Sequence, residues 1–369
     1  MRIRRPSYGR VLAQFREGAV FAHPRGLTLS AAFAQEFACT FHEANPIYLN
    51  REYARAHGYD HLVVSPLLVL NLALSMGVQN DSEQAIAHLG YRRVVPLRPV
   101  YPEETLRSFT RVLGVRERGA GKPGVVRLQT VCVNQDDEPV LRYERAVLIP
   151  ARAPAPDTMV GEAQVPFFEA AAAADAQLPV PRQSYPGGLT GSRTYAEDFT
   201  PGEVIVHAAG RTVTDEHLPW TYRLLNTHPL HFDRIYTAGL EGALSGEPVV
   251  YGGLVFAWIC GLASRDVSEN ALWDLEYDEG YHTQPVFAGD TLTALSRIEA
   301  VEDWPGPHRA AVVRVRHVGL KNVRPEEALA QHGEELFRPE SEKKALGKRR
   351  LEAKVFEIER RLLIKRRPV

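Results

Sequence analysis

The stretch Tyr251 to Cys260 reads YGGLVFAWIC, and Ser65 to Leu74, 186 residues earlier, reads SPLLVLNLAL. Leu254 to Ala263 is apolar on every face of a helix, the pattern of a helix surrounded by other structure rather than one lying on a surface. Leu67 to Leu74 reads the same way. The longer run Val63 to Met76 is broken by Pro66 and Asn71 and falls short of the ~20 residues that span a bilayer, so it is expected in a core.

Working outward from this pair, further likenesses follow in the same order. GAVFAH (Gly18 to His23) resembles GEVIVH (Gly202 to His207), and PVYPEETL (Pro99 to Leu106) resembles PVFAGDTL (Pro285 to Leu292). Near the end VLRYERAVLI (Val140 to Ile149) resembles VFEIERRLLI (Val355 to Ile364), at an offset widened to 215 by a charged insertion, residues 321–350. Ordered self-similarity of this kind marks one structural unit written twice. The expected division is an N-terminal copy, residues 1–152, an Ala/Pro-rich linker, 153–192, and a C-terminal copy, 193–369. The linker contains the run Ala170 to Ala174 and no sustained amphipathic period. The insertion, with its basic cluster Lys343 to Arg350, is expected to be a solvated face.

Within each copy the order is a strand, a short helix, a polar turn, an apolar helix and then several strands. Ser30 can cap the first short helix, and Thr214-Asp215-Glu216 suits the start of its counterpart. Segments such as Thr291 to Ile298 and Val312 to Val318 are rich in β-branched residues and partly alternate, which predicts strands. Strands that follow a helix in a block predict an α+β unit with an antiparallel sheet.

Composition supports the same division. A length of 369 residues suits about two domains, and 44% hydrophobic with 24% charged residues is the balance of an ordinary globular chain. The formal charge of -1 supplies no global field for nucleic acid or anionic lipid, so neither partner is expected. Cys39, Cys132 and Cys260 are odd in number and lie far apart, which supports neither a disulfide framework nor a metal site. Arg16 and Glu17 interrupt the apolar run that would follow a basic start at Arg2, Arg4 and Arg5, so a cytoplasmic location is expected.

The densest polar cluster is Asn226-Thr227-His228-Pro229-Leu230-His231. Residues five apart on one helix diverge, but Pro229 disfavours helix and turns the chain, so Asn226 and His231 can face one pocket. Histidine can take and return a proton near neutral pH, and asparagine can hold a water. A turn that merely closes on itself, with Asn226 as a helix cap, would use the same residues. The second candidate is Tyr251-Gly252-Gly253 at the head of the apolar helix, where free N–H groups would stabilise a developing oxyanion. Glycines placed there only for close packing would look alike. Tyr281 and His282, before Pro285, are candidate pocket residues beside His228 and Tyr251, although a tyrosine and histidine at a strand end also suit a purely structural role. Tyr91 and Arg145 suit a core or an interface.

The repeat supplies an internal comparison. Where the C-terminal copy has Asn226 and His231, the N-terminal copy has Glu43-Ala44-Asn45-Pro46-Ile47-Tyr48, and Pro66 stands at the place of Gly252. Tyrosine is a poor base at neutral pH and proline donates no N–H, so any catalysis is expected in the C-terminal copy, with the N-terminal copy shaping the pocket.

These residues carry a family resemblance. The polar turn, the glycine-preceded helix and PVFAGDTL together resemble the MaoC-like dehydratases. AIAHLGY (Ala85 to Tyr91), KPGVV and VNQDDEPVLRYER (within Lys122 to Arg145), and YHTQPVFAGDTL (Tyr281 to Leu292) are similar to the mesaconyl-CoA hydratase branch. The resemblance implies a double hotdog, two antiparallel sheets each wrapped around a central apolar helix. It also implies reversible hydration of an enoyl-CoA thioester, mesaconyl-CoA to β-methylmalyl-CoA first among them. His231 would be the acid-base group, Asn226 the water-holding residue, and Gly252 and Gly253 the oxyanion hole. No cofactor is implied, since coenzyme A is part of the substrate, and both monomer and homodimer stay open. The family pattern D-x-N-P-x-H is met here by His231 but has Asn226 at the aspartate, and His228-Pro229 stands where the branch suggests alanine and arginine. That departure leaves open another (R)-specific hydratase or dehydratase, an acyl-CoA-binding protein without turnover, or a hotdog thioesterase.

Overall fold

The computed structural model describes residues 1, 3, 6–153, 162–173, 178, 189–347 and 350–368. The strands are β1 (Val20–Thr28), β2 (Ala87–Pro96), β3 (Thr105–Arg116), β4 (Gly124–Val133), β5 (Pro139–Ile149), β6 (Val204–Val206), β7 (Arg211–Thr212), β8 (Ala271–His282), β9 (Thr291–Asp303), β10 (Ala310–Lys321) and β11 (Lys354–Lys365). Between them lie α1 (Ala31–Thr40), α2 (Arg51–Ala56), α3 (Pro66–Gly77), α4 (Phe167–Ala173), α5 (Trp220–Arg223), α6 (Arg234–Ala238), α7 (Gly252–Val267), α8 (Pro325–His332) and α9 (Glu340–Ala345). Among the described residues no helix is long and apolar enough to cross a membrane.

The strands form a double-hotdog arrangement in which the two sheets join edge to edge. The order is β1-β3-β4-β5-β2-β8-β11-β10-β9-β6, with β7 added to β9. Reading this order from either end gives the same element of each copy, so the junction of β2 and β8 lies on an internal two-fold. The pairing obeys that symmetry: Tyr91 faces Gly280, and its image Val94 faces Tyr277. Each half repeats the other's backbone exceptions as well. His42 and Leu225, which precede the polar turns, both have positive φ (61° and 70°), as do Arg93 and Glu279 (48° and 50°).

The apolar segments become the helices wrapped by the sheet. Every residue of α3 is buried, with Pro66 in the first turn where its missing N–H costs nothing. Helix α7 buries Leu254 through Ser264 without interruption. The two helices meet through Asn71, whose Nδ2 donates to Leu67 O at 2.8 Å and to Gly253 O at 3.2 Å. Ser30 caps α1 as its position suggested, accepting from Phe33 N.

Two expectations are corrected. Part of the linker packs: Phe167, Phe168 and Ala171 of α4 are buried with Leu97, Phe109, Val131 and Val133, because adjacent phenylalanines give even a short helix an apolar face. Residues 154–161, 174–177 and 179–188 of that linker lie outside the described residues, as do Arg2, Arg4 and Arg5. The charged insertion is not simply solvated either. Its Leu336 and Phe337 join Leu295, Val318 and Leu320 in a core cluster, and Lys343 is buried against Glu340 at 2.9 Å. Paired charges allow that burial, with Lys354 and Glu357 forming the neighbouring pair. Lys348 and Arg349 of the basic cluster lie outside the described residues.

Candidate active site

Just after helix α5, Leu225 adopts the left-handed conformation, which throws the chain into the polar turn. Asn226, 2% exposed, accepts from His228 N through Oδ1 at 3.0 Å and so shapes the turn as a side-chain cap. His228 uses both ring nitrogens. Its Nε2 donates to Ala85 O of the N-terminal half at 3.1 Å, and its Nδ1 accepts from Leu230 N at 3.2 Å. Pro229 then opens a single tight turn ending at His231.

His231 Nδ1 lies 2.8 Å from Val249 O, so this nitrogen carries the proton and Nε2 keeps its lone pair. Val249 N in turn donates to Leu230 O at 3.1 Å. This two-way bridge ties the histidine turn to the segment leading into α7, and the His231 and Tyr251 rings stand 5.4 Å apart. Burial, then the neighbouring His228, pushes the His231 pKa down to about 3, so the ring is neutral at ordinary pH. Burial holds His282 down to about 4 and His88 well below the usual histidine range. Tyr251, whose hydroxyl faces Ser75 and Asn226, is pushed up to about 12 by burial.

Asn226, His228, His231, Tyr251, Gly252 and His282 line one cavity of about 110 Å³. Its other wall comes from the N-terminal half, with Leu74 and Val78 at the end of α3, His88 and Tyr91 on β2, and Arg145 and Val147 on β5. The cavity therefore lies between the two copies.

Two candidates from the sequence lie elsewhere. Tyr281 follows Gly280 on β8 and faces away from His282, since neighbouring strand residues point to opposite faces. It packs over Gly90 and accepts from Arg92 Nη2 at 2.8 Å, outside the cavity. Gly253 is absent from the cavity lining, and a Cβ there would collide with Asn71 Oδ1, so its small size serves the contact between α3 and α7. Gly252 does face the cavity, where a Cβ would come within 2.6 Å of His282 Nε2. As the first residue of a 16-residue helix it presents an N–H with no partner inside the helix.

His88, Tyr91 and Arg145 are among the cavity residues to which motif reading gave no role in the site. The repeat offset was the available signal, because it sets His88 against Asp274 and Arg145 against Arg360 in the other copy.

Comparison with known proteins gives this arrangement a family. The family model described as mesaconyl-CoA hydratase matches residues 2–327. The chain belongs to that family. It is 32% identical over 320 residues to the β-methylmalyl-CoA dehydratase of Chloroflexus aurantiacus, covering 85% of this chain and 89% of that protein. It is 31% identical to the mesaconyl-CoA hydratase of Cereibacter sphaeroides, covering 84% and 90%. A solved structure titled as a putative MaoC domain protein dehydratase from C. aurantiacus superposes with a TM-score of 0.83 at 28% identity, covering 99% of this chain and all of that one. A Mycobacterium tuberculosis protein described as having a double hotdog fold, at 20% identity and a TM-score of 0.69, shares the fold.

Proposed function

We propose that this protein, like the named relatives of its family, is a hydro-lyase that interconverts mesaconyl-CoA and β-methylmalyl-CoA. The observation that carries the reading is the convergence of a neutral histidine lone pair, Asn226 and the open N–H of Gly252 on one cavity. His231 Nε2 removes a proton from water, whose oxygen then bonds to the β-carbon of the enoyl thioester. Negative charge gathers on the thioester oxygen, where the N–H of Gly252 and the positive end of α7 stabilise it. The proton held by His231 then reaches the α-carbon, and the reverse sequence expels water. Asn226 places the attacking water, while its bond to His228 N keeps it from rotating. Both parts of the added water come from solvent, so this sequence calls on no cofactor.

The deciding experiment follows the enoyl-thioester absorbance of mesaconyl-CoA, with crotonyl-CoA alongside. The expected result is loss of absorbance with gain of one water in the product mass. Release of free thiol without hydration would instead make this a thioesterase, and unchanged absorbance with both substrates would overturn the reading.

A further inference from the structure

The cavity contains a group that the hydration chemistry does not use. Arg145, on β5, makes all three of its hydrogen bonds through Nη2: to both oxygens of Asp81 at 2.9 Å and to Ser82 Oγ at 3.2 Å. Its Nε is buried without a partner although the residue lines the cavity. Beside it on β2, both ring nitrogens of His88 are buried and unpartnered as well. Buried polar atoms without partners are uncommon and costly, and here three lie on the same cavity wall.

The other half of the molecule shows what satisfies such a pair. His88 faces Val147 and Tyr91 faces Arg145 across β2 and β5. Across β8 and β11 the same register sets Asp274 opposite Leu362 and Tyr277 opposite Arg360. Asp274 therefore stands at the position of His88, and Arg360 at that of Arg145. There Arg360 donates through Nε to Asp274 Oδ1, and Tyr48 OH, the counterpart of His231, donates to Asp274 Oδ2 at 3.3 Å. Glu43, at the place of Asn226, faces the same guanidinium. The mirror site, facing the N-terminal polar turn, thus carries its own carboxylate on the guanidinium nitrogen that, in Arg145, has no partner.

We propose that Arg145 Nε and His88 form a subsite for the free carboxylate of a dicarboxylic acyl group, and that this subsite selects dicarboxylic over monocarboxylic acyl thioesters. Asp81 already offsets the guanidinium charge, so the subsite works through directed donors, the Nε–H of Arg145 and one N–H of His88. The position suits a short chain. The His282 ring lies 5.9 Å from that of His88 and packs against Gly252, so an acyl group whose thioester oxygen meets Gly252 extends past His282 toward His88. Asp274 on Arg360 shows the contact that the far carboxylate would make. Selection then comes from the N-terminal copy and chemistry from the C-terminal one.

The inference rests on the cavity being an acyl-CoA site, and the test separates the two. Affinities of succinyl-CoA and butyryl-CoA, equal in chain length and not hydratable, are measured by calorimetry on the wild-type protein, His88→Leu and Arg145→Lys. The expected result is that wild-type prefers succinyl-CoA and that His88→Leu lowers the succinyl-to-butyryl ratio by about 10-fold, the worth of one charged hydrogen bond. Arg145→Lys, which keeps the charge against Asp81 but loses the planar Nε–H, should move the ratio in the same direction. A wild-type preference that both variants leave unchanged overturns the subsite, as does a wild-type protein without preference. A wild-type protein that binds neither thioester overturns the acyl-CoA reading itself.

Discussion

His231 Nδ1 donates to the carbonyl oxygen of Val249 at 2.8 Å, and since a carbonyl can only accept, the lone pair is left on Nε2. In the proposed hydration this ring is the base, prepared before substrate arrives. Replacing it removes general acid-base catalysis, so His231→Ala should lower kcat by roughly 10²- to 10⁴-fold. Near-normal turnover in that variant would remove His231 from the mechanism.

The pH profile follows from the same burial. His231 and His282 are held down to about 3 and about 4, His88 lies well below the usual histidine range, and Tyr251 is pushed up to about 12. None of these groups changes charge between about pH 5 and 9, so kcat/KM, which reports the free protein, should be flat over that range. An acid limb centred near 6.5 would mean that His231 is exposed to water.

Asn226 and its neighbour predict a graded response. In Asn226→Asp a carboxylate oxygen can still accept from His228 N, so the turn survives and activity should stay within about tenfold. Asn226→Leu loses both the turn bond and the water contact, and a fall of about 10² or more in kcat is expected. Equal loss in both variants would show that a neutral amide is required.

The two glycines separate in the same manner. A methyl at Gly252 would come within 2.6 Å of His282 Nε2 inside the cavity, so Gly252→Ala should impair turnover and leave the melting temperature nearly unchanged. At Gly253 the methyl meets Asn71 Oδ1, which is fixed through its amide to Leu67 O and Gly253 O. Overpacking of that kind costs about 1–3 kcal/mol, so Gly253→Ala should melt earlier, and adding Asn71→Ala should restore part of the loss. Melting curves paired with turnover distinguish the two positions.

Acid should weaken the fold. His23, His57 and His282 are held down to about 4 and His231 to about 3, chiefly by burial, while in the unfolded chain each titrates near 6.5. Between those values the unfolded state binds more protons, so stability is complete above about 6.5 and is lost as pH falls toward 4. Glu43, pushed up to about 7 by burial, acts in the opposite direction over part of this range. At about 1.4 kcal/mol per unit shift, the net loss is on the order of several kcal/mol, and melting should fall by roughly 5 to 10 °C between pH 7 and 5. A melting temperature that rises on acidification would contradict this.

Much of this architecture was legible because the chain states it twice. The likeness of YGGLVFAWIC to SPLLVLNLAL located both central helices, and PVYPEETL against PVFAGDTL located the strands after them. Local patterns could not show that β2 and β8 join the halves, since pairing between distant strands leaves no mark on either. The same limit hid half of the cavity. Asn226 and His231 stand out in one short motif, whereas His88 and Arg145 meet only after β2 and β5 pair. Tyr281 and His282 were both pocket candidates, yet the two-residue period of a strand sends one of them to the opposite face. For α4, its few apolar residues, Phe167, Phe168 and Ala171, were too short a run to separate from the linker composition.

Arg360 and Asp274 form the ion pair that mirrors the cavity. Arg360 and Asp274 are each 2% exposed at their side chains, and Arg360 also donates through Nη1 to Ser268 Oγ at 3.3 Å. Breaking such a pair by removing one partner leaves a buried charge, which typically costs 3–5 kcal/mol. Asp274→Asn should therefore lower stability by about that amount, and the double variant Asp274→Leu with Arg360→Met should recover only part of it, because the charges go together while Tyr48 OH and Glu43 lose their partners. In the cavity the equivalent change behaves differently. His88→Leu removes two ring nitrogens that have no protein partner, so the melting temperature should hold or rise. If His88→Leu instead destabilised the protein as strongly as Asp274→Asn, the two positions would be equivalent structural pairs, and the cavity edge of Arg145 would not be reserved for a ligand.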